Sequence, residues 1–206
     1  MVSKSNKLIT HGNHNMRIFL SVLILIFSFQ SWTKAEDIND VMIEGMSTGD
    51  SLLDYFSEEE IINGTRKNSY SNSDNTFADT NLEASWFKDY EGIQATYKVN
   101  DKNYIIHSMD GGIFFARDDK ACINKMNEIV DSLSDIFTNA EFLKQPKLSH
   151  RQDKTGRSTV QGTNIWFENG NISIFCYLWV DPMKYENYVA ISTRTKEFND
   201  WLNNLQ

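Results

Sequence analysis

The sequence has little cysteine, histidine or positive charge, and each shortage excludes a class of protein. Two cysteines among 206 residues cannot build a small domain that many disulfides hold together. Only His107 and His150 lie beyond the N-terminal segment, so a zinc site of histidine and cysteine ligands is not expected. The chain carries 20 basic and 28 acidic residues. We expect no nucleic-acid partner, because phosphate neutralisation needs clustered positive charge.

The common motifs of catalytic and cofactor sites are also missing. The sequence contains no Gly-x-Ser-x-Gly elbow, phosphate-binding loop, dinucleotide fingerprint or His-Glu-x-x-His pattern. Asp50, Asp54 and Glu58 fit a solvated helix face better than a cation site, which would need more oxygen ligands. We therefore expect no cofactor and no metal. Whether the chain is an enzyme stays open, and the absences favour a non-enzymatic protein.

One long apolar run is present, near the N-terminus. Residues 18–29 read IFLSVLILIFSF after the basic Arg17, and the small residues Thr33 and Ala35 follow. A basic segment, a short apolar segment and small residues before a cleavage point are typical of a secretory signal peptide. A membrane-spanning helix needs about 20 apolar residues, which is longer than this run. An uncleaved N-terminal anchor is the alternative.

Export divides the chain into a removed segment and a mature domain. We expect residues 1–35 to be an N-terminal extension and signal peptide, cleaved near Ala35–Glu36. The true start is either Met1 or Met16. Residues 36–206 then form a single globular domain without a membrane span, located in the bacterial periplasm or secreted. Their hydrophobic and aromatic content, 40% and 13% over the whole chain, suffices for one core.

The mature part alternates between strand and helix patterns. Apolar residues recur with a period of two over residues 93–99, 159–167 and 171–179, which predicts half-buried strands. Steps of three and four from Cys122 to Ala140 predict a long helix, which Asp118 or Asp119 can cap, and Thr195 can cap a terminal helix. Polar composition predicts loops at 63–81 and 144–157. The predicted fold is α+β, an antiparallel sheet of about five strands with helices packed mainly on one face.

The two cysteines are candidates for a disulfide. Cys122 lies on the apolar stripe of the long helix, and Cys176 shares a strand face with Ile172 and Ile174. If that helix packs on that face, the two sulfurs come together, and export would place them in an oxidising compartment. Two small buried core residues are the alternative.

The opposite face of the same strand is aromatic. Phe175, Tyr177 and Trp179 alternate on it, and Trp166 belongs to the neighbouring strand. If the long helix covers the Cys176 face, these rings must either pack under another element or meet a ligand. We therefore name Trp166, Phe175, Tyr177 and Trp179 as the candidate binding residues.

The N-terminal pattern of the mature chain resembles a known group of proteins. Residues 43–56 read IEGMSTGDSLLDYF, and residues 108–114 read SMDGGIF. Both are similar to small uncharacterised exported proteins of AT-rich marine bacteria, and so is the final helix around residues 198–202. The resemblance implies a location in the bacterial envelope and brings no activity with it.

Three functional hypotheses follow from the sequence. The first is an exported, non-enzymatic protein that binds a partner protein or small ligand through the aromatic face. The second is an envelope hydrolase or transferase that uses His107 together with a nearby Asp or Ser. The third is a purely structural exported protein. The identity of the ligand and the oligomeric state are beyond the reach of the sequence.

Overall fold

The computed structural model describes residues 37–66, 70, 75–180 and 183–205, and a seven-stranded antiparallel sheet forms their centre. The predicted signal peptide and its cleavage site lie outside the described residues. The spatial order of the strands is β1-β2-β3-β7-β6-β5-β4. The strands are β1 (Phe77–Leu82), β2 (Gly92–Lys98), β3 (Ile106–Phe114), β4 (Glu141–Ser149), β5 (Thr159–Phe167), β6 (Gly170–Leu178) and β7 (Tyr188–Thr195).

Among the described residues, three α-helices accompany the sheet, and each begins at a side-chain cap. They are α1 (Glu58–Gly64), α2 (Asp119–Ile136) and α3 (Lys196–Asn204). Ser57 and Glu60 form a reciprocal capping box at the start of α1. Asp118 caps α2 by accepting the backbone N–H of Ala121, and Thr195 caps α3. The sequence predicted the cap at Thr195 and gave Asp118 as one of two candidate caps for α2.

The connections make two antiparallel runs that meet in the middle of the sheet. Strands β1 to β3 follow one another, and α2 then carries the chain to the far edge. Strands β4 to β7 return from that edge, until β7 pairs with β3. A side chain that faces α2 from one of the five inner strands therefore has same-face neighbours on both adjoining strands.

The sheet has two strands more than the predicted five. The extra strands are β1 and β4, which lie in the segments that we predicted to be polar loops. Both are edge strands. Strand β1 includes the polar Asp79, Thr80 and Asn81, and β4 is largely exposed, with Pro146 in an irregular stretch of the pairing. Edge strands need little apolar alternation, so the hydrophobic pattern could not reveal them.

The segment before α1 is more extended than its sequence pattern predicts. The apolar face of residues 52–56 predicts a helix, but only the 3₁₀ turn Leu52–Asp54 forms. The backbone N–H groups of Gly49 and Leu52 instead donate to the carbonyls of Ile106 and Tyr104. Pairing with the start of β3 thus replaces the hydrogen bonds that a longer helix would have made.

The core lies between the sheet and α2, and the predicted disulfide crosses it. Cys122 of α2 and Cys176 of β6 are both fully buried, with their sulfur atoms 2.10 Å apart. Ile172 and Ile174 share the buried face of β6, and Ile38 from the N-terminal segment completes the layer. The helix stripe therefore covers the strand face that the sequence indicated.

Candidate functional site

The face of the sheet that points away from α2, hereafter the open face, carries a row of polar side chains. Direct register pairing aligns one residue from each of six adjacent strands. We call them the polar row: Asn81, Gln94, Asp110, Ser192, Ser173 and Asn164. With about 4.8 Å between strands, the row is about 24 Å long. A line of donors and acceptors of this length can bind an extended polar ligand.

The polar row is held by hydrogen bonds between its own members. Ser192 donates its hydroxyl to a carboxylate oxygen of Asp110. Ser173 donates to Asn164 over 2.7 Å, and Gln94 donates to Asn81 over 3.4 Å. These bonds fix the direction of each group before any ligand arrives, which reduces the entropy lost on binding.

Three aromatic rings stand side by side along the open face, next to the polar row. Phe114, Tyr188 and Tyr177 come from three adjacent strands, and we call them the aromatic row. The rings of Tyr177 and Tyr188 are parallel within 5° at 4.6 Å between centroids, and Phe114 stacks on Tyr188 at 5.4 Å. Because the rings face one another, they turn their edges and phenol groups, rather than their faces, toward the groove.

Two adjoining cavities lie on the open face. The first has a volume of about 870 Å³ and extends over β1, β2, β3 and β7. The second has a volume of about 570 Å³ and extends over β5, β6 and the loop after β4. Both are lined by Tyr177, Ala190, Ser192 and Arg194, so they meet above β6 and β7. Their sizes match those of small-molecule sites. We call the two cavities together the groove.

The ion pair between Asp110 on β3 and Arg194 on β7 is loose. Arg194 Nη2 lies 3.8 Å from Asp110 Oδ1, and both side chains are about one third exposed, at 34% and 36%. Burial raises the pKa of Asp110, while Arg194 and Ser192 act in the opposite direction. A carboxylate whose charge is only partly compensated is ready to pair with a cationic or hydrogen-bonding ligand group.

One end of the open face is closed by α3. Phe198 and Leu202 of α3 line the first cavity, and Phe198 packs edge-on against Phe77 of β1 at 5.1 Å. Asn199 donates to Asn171 of β6 over 2.6 Å. Helix α3 therefore forms a wall of the groove on the face opposite α2.

A buried carboxylate lies beneath that wall. Asp79 is 8% exposed and accepts hydrogen bonds from the hydroxyls of Tyr70, at 2.6 Å, and Thr96, at 2.8 Å. Burial, followed by the hydrogen bond to Asp79, raises the pKa of Tyr70, so its phenol stays a donor. This arrangement fixes Tyr70 over the end of the first cavity that β1 forms.

The four candidate binding residues occupy different environments. Tyr177 lines both cavities and Phe175 lines the second. Trp166 is 40% exposed on the same face, outside the lining of either cavity. Trp179 is 6% exposed and packs against His150 and Tyr185, with centroids at 4.3 and 4.8 Å. Two of the four residues therefore reach the groove directly.

His107, the candidate base of the second hypothesis, lies away from the groove. Its Nδ1 is 3.5 Å from Thr195 Oγ1 and 3.6 Å from Glu197 Oε2, and its ring packs edge-on against Phe77. Burial lowers the pKa of His107, which Glu197 partly offsets. His107 lines neither cavity. Its contacts tie β3 to the start of α3.

Sequence reasoning missed the polar half of the site. Asp110 begins an Asp-Gly-Gly sequence that is typical of a turn but lies inside β3, and Ser192 and Arg194 are polar residues of β7. Such residues usually face solvent. Only the register of β3 with β7 shows that they are adjacent. The strand order was the missing information.

The described residues contain neither a metal-binding cluster nor a membrane-length helix. No group of three or more His, Cys, Asp or Glu side chains is placed to hold an ion in the part of the chain that the structure describes. In the same residues, no helix has the length and apolar character needed to cross a bilayer.

Comparison with protein-family models, curated proteins and solved structures gives no match. Function must therefore be argued from the groove itself.

Proposed function

We propose that the chain is an exported, non-enzymatic envelope protein that binds a ligand in the groove. The observation that carries this proposal is the polar row, which lines up side chains from six strands along the two cavities. Solvent-exposed sheet faces do not require such pre-arranged donors and acceptors, whereas ligand sites do. The resemblance to exported proteins of marine bacteria supports the envelope location.

The aromatic row supports a binding role for the same surface. Burial raises the pKa of Tyr177, and burial together with Tyr177 raises the pKa of Tyr188 to about 12, so both phenols remain protonated donors at neutral pH. Their hydroxyls have no hydrogen-bond partner among the described residues. Two directed donors at the edge of a groove are available to a ligand acceptor.

The hydrolase alternative has weaker support. A general base must come within hydrogen-bond reach of the proton that it removes. His107 packs under the start of α3, outside the lining of both cavities. A substrate in the groove would therefore not meet His107 without movement of α3.

Native mass spectrometry tests the proposal with a variant that fills the groove. Ala190 lies at the junction of the two cavities, so Ala190→Trp should occupy the ligand's space. Protein purified from its own envelope fraction should carry an added mass, and the Ala190→Trp variant should lack it. Ser132→Trp, on the exposed side of α2, is the matched control and should keep the mass. An added mass that persists in Ala190→Trp, or none in the wild type, contradicts the proposal.

A further inference from the structure

The charges of the groove are divided between its two ends. Four carboxylates line the first cavity, against two arginines; they are Asp79, Glu83, Glu91 and Asp110. The described residues that line the second cavity include Arg151, Arg194 and His150 but no carboxylate. Arg194 belongs to both cavities. The groove is therefore negative over β1 to β3, a region that includes Asp110, and positive at its β5 end.

The positive end offers a cation, Arg151, for which the described residues supply no ion-pair partner. Arg151 is exposed in the loop after β4, and none of the described residues forms an ion pair with it. A guanidinium can hold a carboxylate through two parallel hydrogen bonds, which makes arginine the usual residue for this recognition. The phenol groups of Tyr177 and Tyr188 add neutral donors along the wall.

The negative end suits an ammonium group. Asp110 has only a loose 3.8 Å pairing with Arg194 and keeps about a third of its side chain exposed, so one of its oxygens can accept a second donor. Glu91 is exposed directly before β2 and lines the same cavity. A free α-amino group has a pKa near 8 and is largely charged at neutral pH. It would complement this end by charge and by hydrogen bonding.

The length of the groove fits a short chain. The path from Asp110 on β3 to β4, which leads directly into the loop of Arg151, crosses four gaps between strands, or about 19 Å. An extended peptide advances about 3.4 Å per residue, so about six residues reach from one end to the other. The amide groups of such a chain would meet the amide, hydroxyl and carboxylate groups of the polar row. A single amino acid could not reach both charged ends.

We infer that the ligand is a short extended peptide of about six residues with both termini free. Its ammonium end lies over Asp110 and its carboxylate end lies at Arg151. This inference rests on the proposed function and specifies its ligand class. Peptide side chains would point alternately toward the aromatic row and toward α3.

Equilibrium ultrafiltration with synthetic peptides tests the inference. Wild-type protein is mixed with a random hexapeptide library in three forms: free termini, acetylated amino terminus and amidated carboxyl terminus. The retained peptides are quantified by mass spectrometry. We expect retention of the free form, and each blocking group should weaken retention at least tenfold, because it removes one charged end. Equal retention of free and blocked peptides would overturn the inference.

Variants at the two ends assign each terminus to its site. Asp110→Asn should abolish the penalty for acetylation while keeping the penalty for amidation, and Arg151→Gln should do the reverse. Asp131→Asn on α2 and Lys154→Gln, in the same loop as Arg151 but outside both cavities, are the matched controls. Penalties that persist in both end variants would show that the termini bind elsewhere.

Failure of this inference is distinguishable from failure of the proposed function. A library of neutral oligosaccharides serves as the second probe. If oligosaccharides are retained and peptides are not, or if neither is retained while an envelope-derived mass still disappears in Ala190→Trp, the peptide assignment is wrong and the groove still binds a ligand. If Ala190→Trp keeps the envelope-derived mass, the groove itself is not the binding site.

Discussion

At the scale of single residues, a comparison of Trp179 with Tyr177 distinguishes a packing role from a proposed binding role. Tyr177 lies near the end of β6 and Trp179 directly follows that strand, yet Trp179 is 6% exposed whereas Tyr177 is half-buried and lines both cavities. Trp179 packs against His150 and Tyr185 at the end of the strand. The two neighbouring aromatic residues are therefore expected to respond differently to truncation.

Trp179→Ala should lower the free energy of unfolding by about 3–5 kcal/mol, because it leaves a large cavity among its packed neighbours. Tyr177→Ala should cost about 1–2 kcal/mol, because its ring is half-exposed, and it should remove binding of the envelope-derived ligand. Urea unfolding and native mass spectrometry measure the two effects. If Tyr177→Ala unfolds the protein as strongly as Trp179→Ala does, Tyr177 is a core residue.

Asp153 is a second residue with a specific task, in the loop between β4 and β5. Its carboxylate accepts hydrogen bonds from the Thr155 hydroxyl at 2.6 Å and from the Ser158 N–H at 2.7 Å. These bonds hold the pKa of Asp153 well below its usual range. The bond from Thr155 has the larger effect and the bond from Ser158 the next largest. The loop positions Arg151, so its order matters for the positive end of the groove.

Asp153→Asn should destabilise the protein at pH 7, and the difference from wild type should shrink at acidic pH. A carboxyl with a lowered folded-state pKa contributes stability above its unfolded pKa of about 3.9, and that stability is lost as the pH falls below it. Urea unfolding at pH 7 and at pH 3 measures this. Asp135→Asn, exposed on α2, is the control, with no loss expected at pH 7. An Asp153→Asn penalty that grows toward pH 3 contradicts the assignment.

At the scale of elements, one carboxylate ties the N-terminal segment to the β1–β2 loop. Glu44 Oε1 accepts the backbone N–H groups of Lys88, Asp89 and Tyr90, at 2.7, 2.5 and 3.0 Å. Burial acts to raise the pKa of Glu44, but these three donors outweigh it and lower the pKa. Without the carboxylate the three N–H groups would lose their shared acceptor.

Glu44→Ala should lower the free energy of unfolding by about 1–2 kcal/mol, since water partly replaces the acceptor at this exposed site. Urea unfolding measures the change, and Glu59→Ala on the exposed side of α1 is the control. The variant should also speed amide hydrogen exchange of residues 88–90. Unchanged exchange at these residues would show that the contact does not order the loop.

The disulfide joins α2 to the middle of the sheet. Cys122 and Cys176 are 54 residues apart, and closing a loop of this length stabilises by about 4 kcal/mol in the chain-entropy model. The double variant Cys122→Ala/Cys176→Ala should lose about this amount in urea unfolding. Addition of dithiothreitol should weaken the wild type and leave the variant unchanged. Equal stability of oxidised and reduced wild type would contradict the expectation.

The sequence predicted elements with a strong local signal and missed those without one. Short local patterns predicted three of the elements. Asp118 and Thr195 are capping residues at the starts of α2 and α3, and alternating apolar residues predicted β6. Strand β4 exists because β5 pairs with it, and its mostly exposed residues leave no hydrophobic period. The candidate site shows the same difference between local and long-range signals. Tyr177 could be named as a candidate binding residue because the pattern of its strand is visible in the sequence. The proximity of Asp110 to Ser192 depends on the strand order alone.

At the scale of the whole molecule, one face of the sheet packs against the core and the other carries the proposed binding groove. The face toward α2 holds the disulfide and the apolar core. The open face holds the polar row, the aromatic row and two adjoining cavities of about 870 and 570 Å³. Because separate layers provide stability and the proposed binding, substitutions in the groove should change binding with little effect on folding.

The most direct test of the proposed site in the groove is an NMR titration of the isotope-labelled protein. The titrant is the low-molecular-weight fraction of the native envelope. We predict that amide shifts change for residues of the polar row, such as Ser192 and Ser173, and stay constant along the exposed side of α2. Ala190→Trp should abolish these changes. Shift changes that are confined to α2, or that persist in Ala190→Trp, would show that the open face is not the binding surface.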